Sequence, residues 1–136
     1  MPQIKDIIKH LATIAPPYVQ ESYDNSGLLV GDASLEVTKI LVWLDSTETV
    51  IDEAIATGCN LVIAHHPIIW GKLKSLTGKN ATERVVIKAI QHNIAIYACH
   101  TNLDKVFNGV NEKFAERLKL KNTRILKPET GYLKKL

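Results

Sequence analysis

Two short apolar segments, residues 60–64 and 94–99, constrain the fold of this chain most strongly, because each has the length and composition of a buried β-strand. Apolar residues at helical spacing lie between them, over residues 82–92. A strand, a helix and a second strand in this order predict two parallel strands joined by a right-handed crossover. Both strands would then end at the same edge of one sheet, which is where open α/β sheets bind their ligands.

The rest of the chain continues this alternation of strands and helices. In chain order, the sequence predicts a helix over residues 3–15, strands over 28–30 and 39–44, a helix that begins at Ser46 or Thr47 and ends at Gly58, and a last helix marked by Val110, Phe114, Ala115 and Leu118. Residues 124–126 could form one more strand. The pattern indicates an α/β fold with a mostly parallel sheet, in a single domain over residues 1–136.

The composition is that of a soluble globular protein, with 46% hydrophobic and 23% charged residues. No apolar run approaches the roughly 18 residues that span a bilayer, and the N-terminus lacks the pattern of a secretory signal. These features predict a cytoplasmic protein without a membrane partner. Cys59 and Cys99 adjoin predicted strands and form no C-x-x-C motif, so we interpret them as buried structural thiols.

Positive charge is concentrated near the C-terminus, where residues 111–136 hold eight basic and three acidic residues. A basic segment of this kind can bind nucleic acid. A solvated helix face followed by an exposed tail is the favoured interpretation, so nucleic acid is not the expected partner. The chain also lacks the glycine-rich loops of P-loop and dinucleotide-binding proteins and the nucleophile motif of the α/β-hydrolases.

Histidines follow both of the buried strands directly. His65 and His66 come after the strand over residues 60–64, and Pro67 stiffens the exit from it. His100 and Asp104 follow the next strand. Imidazole and carboxylate groups that meet at one sheet edge suit divalent transition metals. The sequence therefore predicts a metal site, with the carboxylate of Asp104 as the expected oxygen ligand.

Two further residues at this edge have more than one interpretation. His100 is either a direct ligand or a residue that orients one, and a helical arrangement of His100 and Asp104 is not expected because the segment leaves a strand. Asp45 follows the strand over 39–44 and could hold a ligand histidine, accept a proton from a substrate, or begin a helix cap. The cap is slightly favoured. His10 and His92 lie on predicted helices and are interpreted as surface residues.

Taken in order, five segments of this sequence resemble the NIF-three-like family of dinuclear metal proteins, whose members are often called homologues of a type 2 GTP cyclohydrolase I. The segments that carry the resemblance are Tyr23-Asp24-Asn25-Ser26-Gly27-Leu28-Leu29-Val30-Gly31, Leu44-Asp45, His65-His66-Pro67, His100-Thr101-Asn102-Leu103-Asp104 and Gly109-Val110-Asn111. The resemblance implies a three-layer sandwich in which helices flank the sheet.

The resemblance also implies a ligand set and an assembly. His65, His66 and Asp104 would be ligands of two divalent ions, Zn, Fe, Mn or Ni. Family members complete the pair with a histidine and a glutamate near the end of a longer chain. This sequence resembles only the N-terminal part of the family's domain, so we expect incomplete ligation by this chain alone. Family members also assemble as rings, which makes a homo-oligomer the expected state.

Two hypotheses about function follow from these residues. The first is a metal-dependent hydrolase of a small-molecule substrate that the sequence does not identify, in which His100 or Asp45 handles protons beside the ions. The second is a non-catalytic, ring-forming structural or regulatory protein whose metal ions are structural.

Overall fold

The computed structural model describes residues 1–126, which form an alternation of short strands and helices. In chain order the elements are α1 (Ile4–Ile14), a 3₁₀ turn (Pro17–Val19), β1 (Gly27–Val30), β2 (Ile40–Trp43), α2 (Glu48–Thr57), β3 (Leu61–Ala64), α3 (Ala81–Gln91), β4 (Ala95–Ala98), α4 (Thr101–Lys105) and α5 (Val110–Arg117). None of these helices has the length and apolar character that crossing a lipid bilayer requires.

The four strands form one sheet in the order β1-β4-β3-β2. β2, β3 and β4 are parallel, whereas β1 runs antiparallel to β4, with Gly27 opposite Ala98. The predicted mostly parallel sheet is therefore confirmed. Because β1 runs the other way, the residues just before Gly27 lie at the edge where the three parallel strands end.

Helices cover both faces of the sheet, as the three-layer prediction requires. Side chains alternate along each strand, so neighbouring residues face opposite layers. Val62 and Ile96 face a core that they share with α2 and α3, whereas Leu61 and Tyr97 face a second core with Ile4 of α1. The sheet is thus packed against helices on both faces.

Local sequence explains where α2 begins and ends. Thr47 is the N-cap, and its hydroxyl accepts a hydrogen bond from the amide of Val50 at 3.3 Å. Gly58 ends the helix in the left-handed conformation with φ of 74°. The face of α2 that packs on the sheet holds Val50, Ile51 and Ala54, which have little or no exposed surface.

A buried carboxylate fastens the long loop over residues 65–80 to the start of α3. Glu83 is 2% exposed and accepts hydrogen bonds from the amides of Thr77 and Lys79, at 3.0 and 3.2 Å. Asn80 caps the helix by accepting from the amide of Glu83 at 2.9 Å. The hydrogen bond from the Thr77 amide is the largest influence on the pKa of Glu83, which lies below its ordinary value despite burial.

We expect the Glu83→Gln substitution to destabilise the fold at neutral pH more than in acid. A carboxyl whose pKa is lowered by folding stabilises the native state above its unfolded pKa, and that stabilisation is lost as the pH falls through the folded value. The difference in urea midpoint between Glu83→Gln and the parent should therefore shrink as the pH drops below the ordinary value of 4.5. Glu53→Gln, on the exposed face of α2, is the matched control. A gap that stays constant with pH would contradict the role of the ionised carboxylate.

Four features of the C-terminal part of the chain depart from the sequence predictions or limit them. Residues 101–105 form a short helix, although a helical arrangement was not expected after this strand. Residues 124–126 form no strand. α5 is present as predicted, but Phe114 and Leu118 are 64% and 65% exposed, so its apolar residues are not covered by the described chain. The end of the basic tail, from residue 127 onward, lies outside the described residues.

Candidate metal centre

The two adjacent histidines are held by the end of the neighbouring strand. The amide of His65 donates to the carbonyl of Leu44 at 3.1 Å, and the amide of His66 donates to the same carbonyl at 3.0 Å. The chain bends here, so the alternation of side chains along β3 stops. Their ring centroids lie 5.1 Å apart, so the two imidazoles are neighbours at this edge of the sheet.

His100, which directly follows the neighbouring strand β4 after Cys99, completes a cluster of three imidazoles. Its ring centroid lies 5.2 Å from that of His65 and 5.6 Å from that of His66. One ring nitrogen from each histidine lies within 4.8 Å of the other two. All three residues are partly buried, so the cluster is reachable from solvent. Three imidazole nitrogens at this spacing are the donor set that zinc and related metals bind.

Two of the imidazoles in the cluster are hydrogen-bonded to carboxylates. Nδ1 of His66 is 2.7 Å from Oδ1 of Asp45, and Nδ1 of His100 is 2.9 Å from Oδ1 of Asp24. Metal-binding histidines commonly donate their second ring nitrogen to a carboxylate in this way, which fixes the tautomer and the ring orientation. In both pairs Nε2 is therefore the nitrogen left to bind an ion.

Asp24 is the part of the site that the sequence did not single out as a functional residue. Its side chain is completely buried, and it accepts hydrogen bonds from the Ser26 hydroxyl at 3.0 Å, the Thr101 amide at 3.0 Å and the Thr101 hydroxyl. Burial works to raise the pKa of this carboxyl, but the hydrogen bonds from Thr101 and His100 outweigh it and lower the pKa to about 2. Asp24 therefore stays ionised at neutral pH and holds His100 as a fixed acceptor.

Asp104, the expected carboxylate ligand, lies close to His65 but not within the cluster of three histidines. Oδ1 of Asp104 lies 3.5 Å from Nε2 of His65, and it is not part of the three-histidine group. The prediction that the segment after β4 would not be helical was wrong, because the amide of Asp104 donates to the carbonyl of His100 at 3.2 Å within the first turn of α4. One helical turn thus separates the two side chains.

The favoured interpretation of Asp45 as the start of a helix cap was also wrong. Thr47 is the cap, and Asp45 instead pairs with His66, which is one of the alternatives left open for it. The side chain of Asp45 is 52% exposed, in contrast to the buried Asp24.

Cys99 lies immediately before His100 in the chain but is buried and free, and burial raises the pKa of its thiol. His10 and His92 are exposed, as expected.

A cleft of about 730 Å³ opens beside the histidine cluster. His66 and His100 line it together with residues at the starts of α2 and α3. Trp70 stands in the cleft against His100, with the two rings edge to face and their centroids 5.1 Å apart. A small molecule held in this cleft would contact His66 and His100.

The chain is similar in sequence to a known protein family and to named bacterial proteins. A model of the Duf34/NIF3 family (NGG1p interacting factor 3) matches residues 2–136. A protein of Halalkalibacterium halodurans called GTP cyclohydrolase 1 type 2 homolog is 46% identical over 107 residues, which are 79% of this chain and 29% of that protein. A protein of the same name from Clostridium acetobutylicum is 40% identical over 124 residues, which are 91% of this chain and 46% of that protein.

The fold is shared with a solved relative. The crystal structure of a Bacillus cereus protein related to NIF3 superposes with a TM-score of 0.89 at 41% identity, and the match covers 94% of this chain and 35% of that one. The chain spans less than half the length of each of these three relatives. The activity of a whole relative therefore does not follow for this chain from the match alone.

Proposed function

Because the chain belongs to the Duf34/NIF3 family, we propose that its histidine cluster is a divalent metal centre that serves the hydrolysis of a small molecule. The observation that carries the proposal is the pairing of imidazoles and carboxylates at one edge of the sheet, where His66 is held by Asp45 and His100 by Asp24. Three imidazoles held this close repel one another once they are protonated, whereas a bound cation suits them in their neutral form.

The residues fit the group they would hold. His65, His66 and Asp104 supply two imidazoles and a carboxylate, and His100 adds a third imidazole at the same edge. This is the nitrogen and oxygen donor set that suits Zn, Fe, Mn or Ni, and the proposed cofactor is a pair of such ions. Bound there, divalent ions would lower the pKa of water and polarise a phosphoryl or carbonyl oxygen of the substrate.

The two orienting carboxylates differ in what they can do during a reaction. Asp24 is fully buried and already saturated by hydrogen bonds, so its role is to fix His100. Asp45 is about half exposed and lines the cleft, so it can exchange a proton with a substrate or with solvent. We therefore assign proton handling to Asp45 and orientation to Asp24.

The test begins with the chain freed of metal by a chelator. Isothermal titration with Zn²⁺, Mn²⁺, Fe²⁺ and Ni²⁺, together with elemental mass spectrometry after dialysis, measures affinity and stoichiometry. We expect saturable binding of at least one of these ions, and hydrolysis of phosphate or carboxylic esters that appears with metal and disappears with chelator. Failure to bind any of the four would contradict the metal centre. Tight binding without metal-dependent hydrolysis would instead favour a structural role for the ions.

We expect Asp45→Asn to weaken metal binding by about 10- to 100-fold, which is typical for loss of a carboxylate partner of a ligand histidine. The amide keeps the size of the side chain but removes its charge, so the orientation and basicity of His66 suffer while the fold does not. Titration of the metal-free protein gives the affinity. Asp52→Asn, which removes the surface partner of Lys88, is the control and should bind metal like the parent. Equal affinities for both variants would mean that Asp45 does not support His66.

A further inference from the structure

The strand β2 forms an open edge of the sheet. In the order β1-β4-β3-β2 it pairs with β3 alone, and within residues 1–126 no strand lies on its outer side. Its side chains are exposed, at 67% for Val42, 51% for Trp43 and 57% for the following Leu44. Natural sheets usually protect such an edge with a charge, a proline or a bulge. No charged residue or proline interrupts residues 40–44, which are all apolar.

The backbone groups of β2 point alternately toward β3 and away from it. The carbonyls of Lys39 and Trp43 accept hydrogen bonds from amides on the β3 side, at 3.2 Å in both cases. Because successive residues of a strand face opposite sides, the N–H and C=O groups of Ile40 and Val42 point outward. A further strand added at this edge would pair with these groups.

The sequence of this edge is complementary to itself when two copies run antiparallel. With Val42 opposite Val42 of a second copy, the two residues exchange both backbone hydrogen bonds, because both face outward. In the same register Ile40 comes opposite Leu44, and Lys39 comes opposite Asp45. Asp45 is 52% exposed, so its carboxylate is accessible although it lies against His66. Apolar side chains in the middle and opposite charges at both ends favour a second copy of this chain as the partner.

We propose that two copies of this chain pair through β2 and form one eight-stranded sheet, with a two-fold axis at Val42. A two-fold axis closes the interface, so association stops at the dimer. The exposed apolar side chains of each β2 are then covered by those of the other copy. This interaction goes beyond the proposed function and is independent of it, because it uses no metal ion.

The test is sedimentation velocity of the metal-free chain from micromolar to millimolar concentration, where we expect a concentration-dependent dimer. Val42→Lys should weaken dimerisation by more than about tenfold, because like charges would lie opposite each other across the axis. Val42→Thr keeps the branched shape without a charge and should retain the dimer. Leu118→Lys, at the end of α5, changes an apolar residue that is equally exposed, at 65%, and should also retain the dimer.

A second pair of variants tests the antiparallel register. Lys39→Glu would bring two negative charges together at each end of the paired strands, opposite Asp45. It should weaken the dimer at low ionic strength, and added sodium chloride should recover part of the loss, because salt screens the repulsion. Lys121→Glu makes the same change of charge at an exposed position beyond α5 and should have no effect. Equal losses for the two variants would overturn the register.

Amide hydrogen exchange of the parent locates the interface even if a variant fails to fold. The amides of Ile40 and Val42 should exchange more slowly as the protein concentration rises, whereas that of Leu41, which faces β3, should change little. A chain that stays monomeric at every concentration would overturn the proposal. A dimer that Val42→Lys and Leu118→Lys affect equally, or one without slower exchange at Ile40 and Val42, would do the same, because the copies would then meet elsewhere.

Discussion

His66→Ala should lower the affinity of the chain for divalent metal by more than about 100-fold, which exceeds the loss typical of removing a ligand's carboxylate partner. The substitution removes one of three converging imidazoles and leaves the carboxylate of Asp45 without the ring that it holds. The side chain of His66 is 41% exposed, so its loss opens no cavity in either core. The change is measured by isothermal titration of the metal-free protein, and a urea unfolding curve checks that the fold is retained.

His92→Ala is the matched control, because it removes an exposed imidazole at the end of α3, away from the cluster. It should bind metal like the parent. If His66→Ala and His92→Ala bound equally well, the metal would be held elsewhere and the cluster would be an ordinary group of polar residues at a sheet edge. If both lost the metal, binding would depend on the number of histidines in the chain and not on their geometry.

The convergence of the histidines could be predicted because it depends on strand ends alone. Apolar runs stop at His65 and at His100, and parallel neighbouring strands bring their ends together whatever the detailed packing. The position of Asp24 could not be predicted in this way. It reaches the site only because β1 pairs antiparallel with β4, and a four-residue strand carries no sequence signal for the direction in which it pairs.

Two local predictions were wrong for the same reason: the role of Asp45 in the helix cap and the absence of a helix after β4. In both places local sequence preferences were similar for the alternatives, and tertiary contacts decided between them. Asp45, Ser46 and Thr47 are all good N-cap residues, and the pairing of Asp45 with His66 leaves the cap to Thr47. α4 is five residues long, too short for apolar periodicity to reveal it. Contacts from elsewhere stabilise it, including the hydrogen bond from the Asn102 amide group to the carbonyl of Ala15 at 2.8 Å.

Gly31→Ala should be among the most destabilising single changes in this chain, with an expected cost of about 3 kcal/mol or more in the free energy of unfolding. Gly31 directly follows β1 and has φ of +99°, a conformation that L residues rarely adopt. A Cβ there would lie 2.6 Å from Cα and 2.8 Å from Cβ of Ala95 in β4, so the two strands would have to separate. Urea unfolding at neutral pH measures the loss.

Two other glycines separate the two causes of that cost. Gly58 has φ of +74°, and no atom lies within 4 Å of the position that an alanine Cβ would take, so Gly58→Ala should lose only the conformational part, about 1–2 kcal/mol. Gly71 has neither a positive φ nor a close neighbour, so Gly71→Ala should be nearly neutral. The order Gly31, Gly58, Gly71 is therefore expected for the destabilisation. A Gly31→Ala protein no less stable than Gly58→Ala would mean that β1 moves away from β4 at little cost, and the carboxylate of Asp24 would then be less firmly placed than its hydrogen bonds indicate.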